Sequence, residues 1–207
     1  MKNKKTLHII ALIIIIICEG FFIWNNKLVE KTEEEKEEYN LKKETLEVSK
    51  INIKNYKESL KEWGELKEQK GNSYFYQASF SSSEGCYGQE TKITVKDGVP
   101  IAREYKESTC EILKDPLTIN ITREEKILEQ YSENASNLGT NEKGSQAVTI
   151  DFLYKECKGN LGVSSKKNET YFEADEEGII KYCGYVPRNC ADDCYEGVLI
   201  DYFEWIK

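Results

Sequence analysis

Histidine is almost missing from this sequence of 207 residues, whose single imidazole, His8, lies in the apolar N-terminal segment. A Ser-His-Asp or Cys-His nucleophile needs an imidazole in the folded domain, and a zinc hydrolase usually needs more than one. There is also no Cys-x-x-Cys pair of the kind that serves thioredoxin-like redox chemistry. These absences argue against the common hydrolytic and redox mechanisms, and we predict no cofactor.

Positive charge is the second shortage, because the formal net charge is −8. A nucleic-acid partner requires a basic face that neutralises phosphates, so we expect none. Electrostatic docking on anionic lipid is disfavoured for the same reason.

A long hydrophobic run is present at the N-terminus, behind three lysines. The stretch 7–18 has the length of a signal-peptide core, which is about 7–15 residues. Apolar residues resume at 21–24, so 7–24 approaches the roughly 20 residues of a spanning helix, with Glu19 as an unfavourable interruption. Residues 1–25 are therefore predicted to be a signal anchor or a cleaved signal peptide. In either case the remainder is exported.

Residues 26–70 are rich in Glu and Lys and contain no proline, which predicts a charged helical stalk. Apolar side chains recur there at seven-residue steps: Tyr39, Leu46, Ile53 and Leu60. One interpretation is a coiled coil that forms a homodimer. The other is a spacer helix whose last turns pack on the following domain, which we prefer because the companion positions Lys42 and Ser49 are polar.

Residues 71–207 are predicted to form a domain of α+β class. Strands are expected at 73–80, 92–95 and 101–105, the last two joined by an Asp97-Gly98 hairpin turn. Helical spacing of apolar residues predicts helices at 123–131 and 148–157. Further strands follow, at 170–174, 179–186 and 197–205. This order indicates an antiparallel β-sheet with one or two packed helices.

Six of the seven cysteines lie beyond the hydrophobic segment. In an exported domain they indicate up to three disulfides, at Cys86, Cys110, Cys157, Cys183, Cys190 and Cys194. Cys86 and Cys110 flank one hairpin and are expected to pair. For the rest we prefer Cys157–Cys183 with Cys190–Cys194, the alternative being that one of the first two bonds to one of the last two. The spacing of the last three is not that of a recurrent zinc motif.

Three sequons, at Asn120, Asn134 and Asn168, are candidate glycosylation sites and agree with a secretory route. Carboxylates cluster at 175–177 and at Asp192-Asp193. Such a set can bind calcium through oxygen ligands or, as a pair, hydrolyse a glycoside, which makes Asp175, Asp192 and Asp193 weak metal candidates. We prefer a hairpin turn and a solvated loop.

Several short motifs occur in a recognisable order: Trp63, Ser73-Tyr74-Phe75-Tyr76, Cys86, Val95-Lys96-Asp97-Gly98-Val99, Thr149-Ile150-Asp151-Phe152-Leu153-Tyr154, Asp192-Asp193 and a closing strand that ends at Trp205. Over about residues 60–207 the chain resembles a family of domains of unknown function, found on exported bacterial proteins, often lipoproteins, with eukaryotic relatives. Bacterial members carry two close cysteines in the first loop, where this chain has Cys86 alone. The resemblance implies no activity and no catalytic residue.

Together these features predict an exported or membrane-tethered protein with a non-catalytic extracellular or lumenal binding domain for an unidentified protein partner. The 13 tyrosines and three tryptophans supply the side chains that protein-binding faces favour. Alternatives are a structural anchor held by a coiled coil, and a weak calcium-binding protein or carboxylate hydrolase. The domain is expected outside the membrane on a single span, or secreted if the signal is cleaved.

Overall fold

The computed structural model describes residues 35–36, 39–81, 86–114, 121–191 and 194–206, and for 112–114 and 121–122 it describes the backbone alone. Residues 1–34 lie outside this range, so the signal segment and the start of the stalk stay predictions. None of the helices in the described ranges combines the length and apolarity that crossing a membrane requires. The chain divides into two compact units, Met1–Glu47 and Val48–Lys207.

Helix α1 covers residues 39–70. Within the first unit its side chains are mostly exposed, including Tyr39 and Leu46. Within the second unit it buries one stripe at steps of four, three and four residues: Asn52, Tyr56, Ser59 and Trp63.

The seven-residue apolar series on α1 does not enter the core of the second unit. Ile53 and Leu60 remain 37% and 39% exposed, whereas Tyr56 and Trp63, each three residues further along the helix, are buried. The last turns of α1 therefore pack on the domain, and these two aromatic side chains are not available to a partner helix. A homodimer through the stalk stays a prediction.

The larger sheet has five antiparallel strands in the order β4-β3-β2-β1-β8. Their bounds are β1 Tyr74–Ser81, β2 Tyr87–Lys96, β3 Val99–Lys114, β4 Ile121–Asn134 and β8 Tyr202–Trp205. The predicted hairpin turn between β2 and β3 is confirmed, because Asp97 and Gly98 have φ values of 51° and 79°. Two left-handed residues are what a two-residue hairpin turn with the right twist requires.

The smaller sheet has the order β5-β6-β7 and is packed against the second helix. Its elements are β5 Asn168–Ala174, β6 Ile180–Pro187, β7 Glu196–Leu199 and helix α2 Ile150–Leu161. The side chain of Thr149 caps α2 by accepting the N–H of Phe152 at 3.2 Å. The prediction of an antiparallel α+β fold is confirmed, with two sheets in the described residues.

The predicted helix at 123–131 is wrong, because this segment belongs to β4. It pairs with β3 along nearly its whole length, and the register shifts between Glu107 and Ser108. The consecutive apolar residues Ile127 and Leu128 break the alternation expected of a strand and imitate helical spacing, and the bulge accommodates them with Leu128 as the extra residue. Local helix propensity is overridden by the pairing with β3.

The single strand predicted at 197–205 is two strands that belong to different sheets. The N–H of Ile200 donates to the Lys181 carbonyl of β6 at 2.7 Å, and the N–H of Asp201 donates to the Gln77 carbonyl of β1 at 2.8 Å. Successive N–H groups of an extended chain point in opposite directions. The chain therefore crosses from the smaller to the larger sheet at this dipeptide.

The core is dominated by aromatic rings. Trp63 of α1 lies between Tyr74 of β1, at a centroid distance of 5.3 Å, and Trp205 of β8, stacked at 5.4 Å. Buried tyrosine hydroxyls find partners: Ile150 N–H donates to Tyr74 at 3.0 Å, and Tyr76 donates to the Val148 carbonyl at 2.9 Å. These bonds attach α2 and the segment before it to β1.

Tyr154 ties α1 to the smaller sheet. Its hydroxyl lies 2.6 Å from the hydroxyl of Ser59 and accepts the Ile180 N–H at 3.0 Å. Burial raises the pKa of Tyr154 to about 12, against its hydrogen bonds with Ser59 and Ile180, which lower it.

All three predicted disulfide pairs are confirmed. Cys86–Cys110 joins the start of β2 to β3, Cys157–Cys183 joins α2 to β6, and Cys190–Cys194 closes a loop between β6 and β7, with Cα–Cα distances of 4.9, 5.5 and 6.1 Å. Disulfides are typical of oxidising compartments outside the cytosol. The domain therefore has the cross-links of an extracellular or lumenal protein.

The outer half of the larger sheet is covered by the connection 135–146, and a buried ion pair holds it. Arg103 of β3 donates from Nε and Nη2 to both carboxylate oxygens of Glu133 at 2.9 Å each. The same carboxylate accepts the N–H groups of Gly139 and Asn141, both at 2.7 Å. Arg103 in turn donates to the carbonyls of Asn141 and Ser145, at 2.7 and 3.2 Å.

Candidate binding groove

An open groove runs between the turn that joins β5 to β6 and strand β8. It consists of two adjoining cavities of about 510 and 490 Å³ that share Asp175, Glu176 and Phe203 in their lining. Further lining residues are Glu173, Glu177, Lys181, Asp201, Tyr202, Glu204 and Trp205.

Asp175 shapes the turn on one side of the groove. One of its carboxylate oxygens accepts the N–H groups of Glu177 and Ile179, at 3.0 and 2.8 Å. An Asp that accepts backbone N–H groups a few residues ahead is a common way to close a turn. The carboxylate of Asp175 is therefore committed to the backbone, and its neighbours Glu176 and Glu177 extend from the turn.

Gly178 allows α1 to support this turn from behind. Its φ is 84°, and a Cβ atom there would collide with Glu62 of α1. Ser59 of α1 donates its hydroxyl to the Gly178 carbonyl at 2.6 Å. Only glycine combines this conformation with so close an approach of the helix, so α1 sets the position of the acidic turn.

The floor on the other side of the groove is aromatic and comes from β8. Phe203 packs edge-on against Trp63 at 5.9 Å, and Trp205 stacks on Trp63 at 5.4 Å. The indole N–H of Trp205 donates to Glu177 at 3.3 Å, which links the floor to the turn. Both rings remain partly exposed.

Asp201 and Tyr202 form the end of the groove. Asp201 accepts the backbone N–H of Ser79 at 2.6 Å and also the Ser79 hydroxyl. Tyr202 stacks on Phe75 at 5.6 Å and donates to Glu204 at 2.7 Å. That hydrogen bond raises the pKa of Tyr202.

The charge of the groove is strongly negative. Six acidic residues contribute to the lining of the two cavities, against one lysine, Lys181, which is paired with Glu173 at 3.2 Å. Carboxylates are ordinarily ionised at neutral pH. A cation is attracted both by these charges and by the faces of aromatic rings. The arrangement can therefore hold a positively charged group over Phe203 and Trp205.

The predicted site residues are only partly placed. Asp175 lies in the groove, whereas Asp192 and Asp193 fall outside the described residues, so their separation from Asp175 is not defined. Across the part of the chain that the structure describes, no three His, Cys, Asp or Glu side chains cluster as metal ligands would. The calcium and hydrolase alternatives stay predictions.

Two of the three sequon asparagines are described. Asn134 ends β4 and accepts the N–H of Ser136 at 3.0 Å, and Asn168 begins β5 and donates to the Ser164 carbonyl at 3.1 Å. Asn120 is outside the described residues. Their glycosylation stays a prediction.

The aromatic floor was not singled out from the sequence. Alternation over the last strand places Phe203 and Trp205 on one face, and that is the signal that points to them. The alternation does not show which segment faces these two rings across the groove, because the acidic turn is about 25 residues earlier in the chain.

Comparison with known proteins adds no relative, since no family model, curated protein or solved structure matches this chain.

Proposed function

We propose that this chain is an exported, non-catalytic binding domain whose groove takes a cationic segment of a protein partner. The observation that carries the proposal is the pairing of an acidic turn with the partly exposed rings of Phe203 and Trp205 across one open groove. Aromatic anchors surrounded by polar residues are typical of sites where a few contacts dominate binding. The net charge of −8 favours the approach of such a partner over long range.

The place of the domain follows from its cross-links and its N-terminal segment. Three disulfides fit an oxidising extracellular or lumenal compartment. We further propose that residues 1–25 either keep the domain at the membrane as a signal anchor or are removed by cleavage. Intact-mass measurement of the protein isolated from its host separates the two, because only the anchored form retains this segment.

The resemblance to exported domains of unknown function is part of the proposal, and its motif residues have a structural role. Trp63 and Tyr74 pack against each other, Tyr76 bonds to Val148, and Tyr154 bonds to Ser59. The motif order therefore corresponds to contacts that hold α1, β1 and α2 together. These contacts give the motif residues a structural role and indicate no chemistry.

The binding proposal is tested by titrating the full chain, in detergent micelles, with a fluorescent Lys- and Arg-rich decapeptide. A Glu- and Asp-rich decapeptide of equal length is the first control. We expect binding of the basic peptide only, weakening as salt is raised, since surface charges are screened.

A double variant, E176Q/E177Q, removes two charges of the acidic turn and should weaken binding of the basic peptide about tenfold, because each lost ionic contact is worth up to about 1 kcal/mol. E58Q removes a matched exposed carboxylate from α1, where Glu58 pairs with Lys54. Equal affinity of the basic peptide for the wild type and the double variant would overturn the proposal.

A further inference from the structure

Strand β4 is at the edge of the larger sheet, and among the described residues no strand pairs with its outer edge. It is the longest strand edge of this kind in the described part of the chain. β4 has 14 residues and ends the five-strand order, while the strand at the opposite end, β8, has four. A free edge presents unpaired N–H and C=O groups that can hydrogen-bond to another strand.

The bulge in β4 changes which side chains share a face of the sheet. Glu129 pairs with Glu107 of β3 and Ile127 pairs with Ser108, so Leu128 has no partner on β3. Lys126 pairs with Thr109, which is on the same face as Glu107.

Lys126 and Glu129 therefore point to one face although they are three residues apart. In a regular strand, residues three apart point to opposite faces. Their ion pairs agree, since Lys126 lies 4.0 Å from Glu111 and Glu129 lies 2.6 Å from Lys143, which also binds Glu107. Bulges usually protect an edge, and this one has the additional effect of aligning two opposite charges.

We propose that two copies of this chain associate by pairing β4 with β4, antiparallel about a twofold axis between Ile127 and Leu128. Side chains opposite each other across such an axis share a face. In this register Lys126 of each copy lies opposite Glu129 of the other, so two ion pairs form.

The rest of the strand is compatible with this register. Glu124 lies opposite Tyr131 of the second copy and Glu125 opposite Gln130, so no like charges oppose each other along this stretch. A slide of two residues keeps the faces of the outer pairs matched, but it places Glu124 opposite Glu129 in one direction and opposite Glu133 in the other. Like charges directly opposite are destabilising, and charge therefore selects one register.

The axis itself passes through an apolar pair. Ile127 and Leu128 are 52% and 51% exposed, and pairing brings these residues of one copy next to those of the other. Burial of exposed aliphatic side chains adds a favourable hydrophobic contribution at the centre of the interface.

A charge-swap experiment tests the pairing on the full chain in detergent micelles. K126E alone would bring four carboxylates together at the axis, and E129K alone would bring four ammonium groups together. A mixture of the two variants pairs the carboxylates of one with the ammonium groups of the other.

Sedimentation velocity should show a reversible dimer for the wild type. Each variant alone should raise the dissociation constant at least about tenfold, because two attractive cross-strand pairs become repulsive, and each such pair is worth up to about 1 kcal/mol. The equimolar mixture should return to within about threefold of the wild type. This restoration also shows that both variants are folded.

Two controls keep the result specific. K54E makes the same charge change on α1, where Lys54 is exposed, and should leave the dimer unchanged. L46Q/I53Q removes apolar side chains of the stalk series. A dimer lost in the stalk variant and kept in K126E would overturn the proposal, as would a monomeric wild type or a mixture that stays monomeric.

A second readout locates the contact. Mixed ¹⁴N- and ¹⁵N-labelled chains, treated with a zero-length carbodiimide cross-linker, should give a hybrid-mass peptide that joins Lys126 to Glu129. Hybrid cross-links confined to other residues would contradict β4 pairing.

Discussion

The two halves of the larger sheet are covered in different ways. On the inner half, β1 and β8 are covered by α1, whose Trp63 is surrounded by the rings of Tyr74, Phe203 and Trp205. On the outer half, β3 and β4 are covered by the connection 135–146, which is held by Arg103 and Glu133. These two charged side chains are only 3% and 2% exposed.

The two covers differ in how strongly each depends on a single side chain. Hydrophobic burial is non-directional and roughly proportional to area, so the loss of one ring removes its share and leaves the neighbours in contact. A buried ion pair depends on both partners, because removing one leaves an unpaired charge in the interior. We therefore expect the inner cover to be destabilised by loss of side-chain volume, and the outer cover by loss of one partner of the ion pair.

The largest expected effect is on the inner half, from Trp63→Ala. It leaves a cavity among Tyr74, Tyr154 and Trp205 and should lower the free energy of unfolding by about 4 kcal/mol. Urea unfolding followed by circular dichroism measures it. Leu60→Ala on the same helix is the matched control, since Leu60 is 39% exposed, and should cost less than about 1.5 kcal/mol. Equal losses would contradict the role given to Trp63.

Arg103→Met should destabilise the outer half by about 3 kcal/mol, because it leaves the Glu133 carboxylate buried without its cation. Lys106→Met is the control on the same strand. Its partly exposed pair with Glu125, at 2.7 Å, should contribute less than about 1 kcal/mol. The same unfolding assay compares the two variants. A smaller loss of stability for Arg103→Met than for Lys106→Met would refute the claim that the buried Arg103–Glu133 pair stabilises the outer half.

High pH should weaken the attachment of α1, which covers the inner half, to Tyr154 of α2. Burial raises the pKa of Tyr154 to about 12, whereas an unfolded tyrosine titrates near 10. The contribution of the protonated hydroxyl is therefore complete below about pH 10 and lost as the pH rises towards 12, by about 2 to 3 kcal/mol in all.

Melting temperatures between pH 8 and 11.5 should show this fall. Tyr154→Phe, which has no titrating hydroxyl, should show a shallower one. A wild-type curve that stays flat to pH 11.5 would contradict the burial of Tyr154.

Low pH should weaken the outer half. Of the effects predicted here this is the smallest, and it should be confined to the contacts between Glu133 and the connection 135–146. Burial alone would raise the pKa of Glu133, but hydrogen bonds from Arg103, Gly139 and Asn141 lower it by more, so the pKa lies well below its usual range. The stabilisation is therefore complete above the ordinary Glu pKa of about 4.3 and is lost as the pH falls towards the lower folded value.

Hydrogen exchange locates this change. Protection of the Gly139 and Asn141 amides should decrease below about pH 4 before that of β1, and Glu133→Gln should show low protection at every pH. Simultaneous loss of protection in both halves would contradict separate covers.

Local signals in the sequence predicted several elements well. The Asp97-Gly98 turn is specified by two consecutive residues that adopt a left-handed backbone. The helix α2 is specified by the spacing of Ile150, Leu153 and Tyr154 within one segment. The pairing Cys86–Cys110 followed from the hairpin between them. The segment 123–131 was predicted wrongly, because Ile127 and Leu128 together imitate a helical stripe, and only the pairing with β3 reveals that Leu128 is the extra residue of a bulge.

The binding groove was predicted in part for a related reason. Asp175 and its neighbours are visible as a turn, since an acidic run before Gly178 is a local pattern. Their position facing Phe203 and Trp205 depends on α1 behind the turn and on the chain crossing sheets at Ile200 and Asp201. Neither contact has a signal within a few residues of the groove.

Composition, turns and periodicity act over short distances along the chain, so the sequence was enough to predict the α+β class and the disulfides and to show that no imidazole lies beyond the N-terminal segment. The tertiary structure alone decided which face of α1 is buried, how 123–131 is folded and where the acidic turn meets its aromatic wall. Those outcomes depend on strand pairing and burial between segments far apart in sequence, and the free energy of such contacts overrides local propensity.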